Sequence, residues 1–424
     1  MAMHWRFGGT SEEQAAIDGI VAEIPELQRI LADNHPALQQ PDRAAHQMQI
    51  GAGRVKLRID DALPADLDGV GLFAPGSETT GIGRISTGLG CPHLETDPDF
   101  LGLMVAFQTG AGERVDFLAI NNGAAPTDTV EEFVGLLAAT AAAAGAEIPF
   151  GSAGELDLGN LTAAQGKLYH ALRKRLGLGR ATSIFLHIAR QTLRTALSSS
   201  AIQPYWTGVV EVSTRPSKFS FVPIDEVNEH RKLRPGARYL SEDWAGRVRA
   251  GAIGFALHWI PFLDEKRTPL EKAGTAWSEE HAVRVGSLTF EQADPDSRES
   301  RLLALLASEM GANPGNWVGT RTSDPRVPGT TFTAARQHGY ALSQRTREAL
   351  PASALNSFFS SGGRIGAALE LELLRRHHAK QSSGHAGPRL NGPADASERD
   401  GNVSDGTDRV MTTDPVNAAD QEGP

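Results

Sequence analysis

The sequence predicts an α+β fold in which helices surround an antiparallel sheet that could close into a barrel. Two observations favour this class. Short runs of alternating apolar and polar residues, separated by turn residues, occur in two groups along the chain and are typical of antiparallel strands. Longer segments before, between and after these groups carry apolar residues at the three- and four-residue spacing of helices.

The composition is that of an ordinary globular protein. The 424 residues carry a formal net charge of -10, which argues against nucleic acid or an anionic membrane as the main partner. The single cysteine, Cys91, can form neither an internal disulfide nor a cysteine-based zinc site. The N-terminus lacks the apolar segment of a secretory signal, and the longest apolar run, residues 133–146, is too short to span a bilayer. We therefore expect a cytoplasmic protein with no membrane span.

The elements of the first half of the chain alternate in type. Residues 11–34 predict a pair of N-terminal helices broken near Pro25. Alternating runs then predict strands at residues 55–59, 70–73, 83–87, 103–107 and 115–120. Alanine- and leucine-rich segments predict helices at residues 127–146, 166–176 and 184–197.

The second half repeats this order and ends in a polar tail. Strands are predicted at residues 205–212, 217–222, 252–260 and 282–289, and helices at residues 299–310, 333–350 and 365–376. After about Lys380 the chain holds almost no large apolar residue, so it cannot offset the entropy of ordering and is expected to be disordered. The predicted organisation is a helical arm (1–40), a main domain (41–378) and a disordered tail (379–424).

Arg336 and Tyr340 lie one turn apart on the predicted helix of residues 333–350, so their side chains share a face. A guanidinium in that position would stabilise a phenolate by charge and hydrogen bonding. A phenolate is a known ligand of ferric iron in haem proteins. Taken alone, the segment is more typical of an ordinary helix with a half-buried Tyr.

Three further segments carry side chains that suit a peroxide site. His46, after Arg43, could act as a general base and then as an acid. Arg84 and Ser86 share one strand face, where the Arg could hold a carboxylate and the Ser could orient a His. Asn121 ends a strand and could hold a peroxide oxygen. Taken alone, each segment is more typical of a structural role, as a loop His, a polar strand face or a turn Asn.

Taken together, these segments resemble the haem catalase superfamily, especially its shorter branch of catalase-related peroxidases. The resemblance depends on the order of the motifs, which cover residues 40–350. The segments that carry it are Arg43-x-x-His46, Gly71–Pro75, Gly83–Thr87, Asp99–Gly102, Asp116–Asn121, Pro204–Gly208, Thr268–Glu271, Trp277–Glu279, Asn313-Pro314 and Pro328-x-x-x-Phe332-x-x-x-Arg336-x-x-x-Tyr340.

The resemblance implies a catalase-like antiparallel β-barrel that binds haem b. Tyr340 would be the axial ligand of the iron, with Arg336 as its charge partner. Arg43 and Arg84 would meet the haem propionates.

On the opposite side of the haem, the resemblance implies three groups that act on the peroxide. His46 would be the acid and base, and Ser86 would orient it. Asn121 would be the second polar group, with Asn122 as the alternative if the register differs by one residue.

The implied activity is the two-electron reduction of hydrogen peroxide or an organic hydroperoxide at ferric haem. The alternatives are rearrangement of a hydroperoxide, or binding of haem or another ligand without turnover. Residues 101–106 lack the two basic residues of the matching catalase segment, and residues 123–126 lack its aromatic pair. Members of the superfamily often form dimers or tetramers, so a homo-oligomer is compatible with the resemblance.

Overall fold

The structure, a computed structural model, describes residues 11–35, 38, 40–96, 99–144, 158–195, 197–212, 215–224, 233–234, 236–317 and 331–382. Spatial clustering divides the chain into Met1–Asn391 and Gly392–Pro424, and every described residue belongs to the first unit. Most of the predicted tail, from residue 383 onward, lies outside the described residues. Residues 379–382 form the end of the last helix.

The predicted barrel is confirmed. The described strands are β1 (Gln49–Ile59), β2 (Glu78–Thr87), β3 (Leu101–Gln108), β4 (Arg114–Ile120), β5 (Tyr205–Thr207), β6 (Val210–Val212), β7 (Arg215–Pro223), β8 (Ile253–Pro261) and β9 (Val283–Phe290). Eight of them form a closed antiparallel ring in the order β5-β4-β3-β2-β1-β9-β8-β7, because β5 also pairs with β7. β6 pairs with β7 beside this ring.

The inside of the barrel is filled with aromatic side chains. Phe117 on β4 makes edge-to-face contacts with Phe219 and Phe221 on β7, at centroid distances of 5.5 and 5.6 Å, and with Trp317 at 5.1 Å. All three phenylalanines are at most 1% exposed. Since side chains alternate along a strand, the neighbours of these residues on β7 face the outside of the barrel, where the helices pack.

Nine described helices surround the barrel. They are α1 (Ser11–Val21), α2 (Ile24–Asn34), α3 (Val130–Ala143), α4 (Leu158–Thr195), α5 (Tyr239–Ala250), α6 (Arg298–Glu309), α7 (Thr331–Thr346), α8 (Ala352–Ser360) and α9 (Ala367–Ser382). α1, α2, α3 and α7 share one apolar core, and α6, α8 and α9 share another with β2 and β3. None of the described helices is long and apolar enough to cross a membrane.

Several local predictions differ from the structure. Residues 70–73 form a turn with an isolated bridge instead of a strand, because Gly69 and Gly71 adopt positive φ angles that break the extended chain. The two helices predicted within residues 166–197 are one run, α4, interrupted at Gly177 with φ 77°. α5 and α8 were not predicted. Trp244 of α5 packs edge-on against Phe290, in the space that Gly51 leaves open.

Candidate functional site

A cavity of about 280 Å³ lies on the outer face of the barrel, bounded by β2–β5, β7, α3 and α7. Six of the seven residues proposed from the sequence line it, although they come from three distant parts of the chain. They are Arg43, His46, Arg84, Ser86, Arg336 and Tyr340. The seventh, Asn121, is not among the lining residues, whereas its alternative, Asn122, is.

His46 is held in the cavity wall by a strained backbone and by hydrogen bonds. Its φ of 58° is in the left-handed region, which costs energy in a residue other than glycine. The backbone N–H donates to the Gly88 carbonyl at 2.8 Å. The ring Nδ1 lies 3.0 Å from the Thr87 carbonyl and 3.3 Å from Ser86 Oγ. Because a carbonyl can only accept a hydrogen bond, Nδ1 carries the ring proton and Nε2 keeps a free lone pair.

The surroundings of His46 keep its ring neutral. The pKa of His46 is lowered to about 4, chiefly by burial and also by the positive charge of Arg84, against the opposing effect of Asp99. At neutral pH the imidazole is therefore an unprotonated base with a fixed tautomer. It can accept a proton at Nε2 and, once charged, is a strong acid.

Gly102 provides the space for the His46 ring. A Cβ at Gly102 would lie 2.5 Å from His46 Nδ1 and 3.1 Å from Ser86 Oγ. We expect Gly102→Ala to displace the ring and to lower the free energy of unfolding by about 1–3 kcal/mol, the usual cost of overpacking. Urea denaturation measures this loss. Gly110→Ala is the control, because nothing lies within 4 Å of its Cβ position. Equal stabilities of the two variants would contradict the prediction.

Two arginines bind the carboxyl-terminal end of α6. Arg43 Nη2 donates to the carbonyls of Ser308, at 2.6 Å, and Met310, at 3.2 Å. Arg347 Nη2 donates to the same Met310 carbonyl at 2.8 Å. The negative end of the helix dipole favours cations in this position. The shared carbonyl brings the two guanidiniums together at one end of the cavity.

Arg84 forms the third member of this cluster. Its guanidinium is 3% exposed and donates from Nη2 to the carbonyls of His46, at 2.8 Å, and Gln47, at 3.0 Å. Burial lowers the pKa of Arg84 well below its usual range, and the charges of Arg43 and Arg347 lower it further. Burial likewise lowers the pKa of Arg347 to about 9. Arg84 and Arg347 are buried and Arg43 is half-buried, and an anion that accepts hydrogen bonds from them would stabilise such a cluster.

Tyr340 and Arg336 interact along α7 as the helical spacing predicts. Arg336 Nη2 lies 3.5 Å from the Tyr340 hydroxyl, and its Cζ lies 5.5 Å from the centre of the Tyr340 ring. The guanidinium occupies space that Gly208 leaves free, since a Cβ there would lie 2.6 Å from Arg336 Nη1. The Thr333 hydroxyl donates to the Val209 carbonyl at 2.8 Å and anchors α7 to the chain after β5. The Tyr340 hydroxyl thus has a fixed cationic neighbour in the cavity.

Asn121 and Asn122 have different surroundings. The Asn121 side chain is buried, and both its oxygen and its nitrogen are engaged: Oδ1 accepts from the Leu101 N–H at 2.8 Å, and Nδ2 donates to Gln203 Oε1 at 2.5 Å. Asn122 lines the cavity, and its Nδ2 lies 2.6 Å from Nε2 of His187 on α4. Of the two amides, Asn122 is the one that a molecule in the cavity could reach.

His187 fixes the direction of the Asn122 amide. Burial lowers the pKa of His187, although a hydrogen bond to the Ala124 carbonyl opposes this effect. The neutral ring donates its one N–H to that carbonyl, so Nε2 must accept a hydrogen bond from Asn122. The His187 ring also packs against Phe100, at a centroid distance of 6.2 Å.

The sequence interpretation did not include His187, Arg347 or Lys218, which also lines the cavity. Arg347 follows Tyr340 by seven residues, or two helical turns, and this spacing could have indicated it. His187 is one of 13 histidines and lies on a segment with no matching motif, so only the packing of α4 reveals its position. Lys218 occupies a strand position whose outward direction depends on how the barrel closes.

No protein-family model and no curated protein matches this sequence. Solved structures do match it. A fungal catalase superposes with a TM-score of 0.57 at 14% identity, over 77% of this chain and 63% of the catalase. A bacterial catalase gives 0.53 at 16% identity over 77% and 60%, and catalase A from Saccharomyces cerevisiae gives 0.55 at 12% over 78% and 66%. The chain thus spans less than two thirds of their length and has a catalase-like fold.

Proposed function

We propose, from the premise that the chain has a catalase-like fold, that it binds haem b through Tyr340 and breaks down hydrogen peroxide or an organic hydroperoxide. The observation that carries this proposal is the convergence of Tyr340, His46 and the arginine cluster on one cavity. These residues are far apart in sequence. Tyr340 suits the iron of a haem, the arginines suit its propionates, and His46 suits a peroxide.

The donor set suits haem better than a bare metal ion. An ion bound by side chains alone needs several ligands, and the described residues contain no group of three or more His, Cys, Asp or Glu that could hold one. A haem iron can be held by a single axial Tyr. In this proposal Tyr340 supplies that ligand, and Arg336 compensates the phenolate charge. Arg43, Arg84 and Arg347 would bind the two propionates.

The side chains on the cavity wall would then transfer a proton between the peroxide oxygens and orient the peroxide. Haem, when bound, would supply the two electrons needed to cleave an O–O bond. The neutral His46 can accept a proton from one peroxide oxygen at Nε2 and return it to the other, which leaves as water or an alcohol. Asn122, held by His187, can donate a hydrogen bond to the peroxide.

The test is the absorption spectrum of the full chain titrated with haem, compared with its Tyr340→Phe variant. We expect a ferric spectrum with Tyr ligation in the native protein and its loss or replacement in the variant, because the phenyl ring has no oxygen to bind iron. Tyr169→Phe is the matched control, since the Tyr169 hydroxyl bonds Thr182 within α4.

Each outcome of this titration decides between the candidates. A native protein that binds no haem would refute the proposal. Identical spectra for the native protein and Tyr340→Phe would refute the assignment of Tyr340 as the iron ligand. Haem binding through Tyr340 without consumption of hydrogen peroxide or of an organic hydroperoxide would favour the alternative of a haem-binding protein without turnover.

A further inference from the structure

Lys218 is a buried lysine in the cavity that the proposed reaction does not use. It directly precedes Phe219 on β7, and the Phe219 side chain points into the barrel. Because successive side chains on a strand point to opposite faces, the Lys218 side chain faces the outside of the barrel. It lines the same cavity as Tyr340 and is only 5% exposed. Lysine is almost never buried to this degree unless it is paired.

The surroundings of Lys218 within the described part of the chain provide no negative charge. Its Nζ lies over the Trp277 ring, 5.1 Å from the ring centre, a contact that is favourable for a cation but does not neutralise it. Burial lowers the pKa of Lys218 to about 8, and the positive charge of Arg336 is the second cause. No carboxylate or carbonyl among the described residues accepts a hydrogen bond from Nζ.

Arg336 adds a second cation to this part of the cavity. Its guanidinium passes next to Gly208, which has no side chain and also lines the cavity. Even if Tyr340 is ionised, one phenolate faces two cations, Arg336 and Lys218. A net positive charge in a space of low dielectric constant is stabilised by an anion that accepts hydrogen bonds from both groups.

We propose that Lys218 and Arg336 form a binding site for a carboxylate group within the cavity. Leu270, which lines the cavity and belongs to the same apolar cluster as Trp277, would provide an apolar surface beside the carboxylate. The carboxylate could belong to a small free acid or to one end of a longer organic acid. This proposal does not depend on haem binding, because none of the groups that define the site needs haem in order to carry its charge.

Calorimetric titration of the haem-free full chain with sodium formate and sodium octanoate, at constant ionic strength, tests the site. We expect saturable binding of a carboxylate by the native protein. Lys218→Met should weaken that binding by about tenfold or more, because a hydrogen-bonded ion pair is lost while the length of the side chain is kept. Lys272→Met is the matched control, since Lys272 lines the same cavity but is solvent-exposed.

The two ligands identify the source of the carboxylate. Binding of both with similar affinity indicates a site for a small free acid, and much tighter binding of octanoate indicates an organic acid whose chain contacts the apolar wall. The proposal is overturned if the native protein binds neither ligand, or if Lys218→Met, shown by circular dichroism to be folded, binds with native affinity. The haem absorbance is a separate signal, so failure here leaves the haem proposal untouched, and the reverse also holds.

Discussion

Replacing His46 with Asn is expected to reduce peroxide turnover by about 10²- to 10⁴-fold, the usual contribution of a general acid–base group. Asn is the appropriate replacement because it tolerates the left-handed backbone that His46 adopts, with φ 58°. It can form hydrogen bonds but cannot accept a proton. Turnover is measured as the initial rate of peroxide consumption at equal haem content.

The control for this variant is His281→Asn, which changes an exposed His in the turn before β9. It should keep the native rate. The pH profile provides a second check. Since burial lowers the pKa of His46 to about 4, the native rate should stay level from neutral pH down to about pH 5 and fall as the ring becomes protonated near pH 4. A native rate in His46→Asn, or a decline centred near pH 6.5, would contradict the assigned role.

Phe117→Ala should lower the free energy of unfolding by about 3–5 kcal/mol, the range for deleting a large buried ring. Phe117 is 1% exposed and contacts the rings of Phe219, Phe221 and Trp317 edge to face, so its removal leaves a cavity in the centre of the barrel. Each lost aromatic contact removes stabilisation beyond that of the buried area. Chemical denaturation with a fluorescence signal measures the change.

Leu178→Ala provides the comparison for Phe117→Ala. Leu178 is 61% exposed on α4, and its truncation should change the stability by less than about 0.5 kcal/mol. A loss below about 1 kcal/mol in Phe117→Ala would mean that the barrel interior is packed differently from the arrangement described.

Much of the fold could be predicted from the sequence because polar residues on the outer face of several strands alternate with apolar residues on the inner face. β1 is an example, with Val55, Leu57 and Ile59 buried and Arg58 exposed. α5 was missed although Leu240, Trp244 and Val248 follow helical spacing, because charged residues interrupt that stripe. Closure of the barrel was implied by the resemblance and could not be predicted from the strand patterns alone, since it depends on pairing between β5 and β7.

For the candidate site, local sequence patterns predict some side-chain positions and not others. Arg336 and Tyr340 are close because a helix enforces their spacing, and sequence alone could place them on one face. The choice between Asn121 and Asn122 could not be made in that way. A shift of one residue reverses the side-chain direction, and the direction here follows from the hydrogen bonds of Asn121 to Leu101 and Gln203.

The ring of strands is closed by its shortest member. β5 has three residues, and it pairs with β4 through Ala119–Thr207 and Ile120–Trp206, and with β7 through Tyr205–Phe221 and Trp206–Ser220. Few backbone hydrogen bonds must break to separate these strands, so their amides should exchange hydrogen with solvent sooner than those of β1–β3. Trp206 and Thr207 also line the cavity. A ligand bound there would therefore slow exchange at this junction and stabilise the pairings of the shortest strand in the ring.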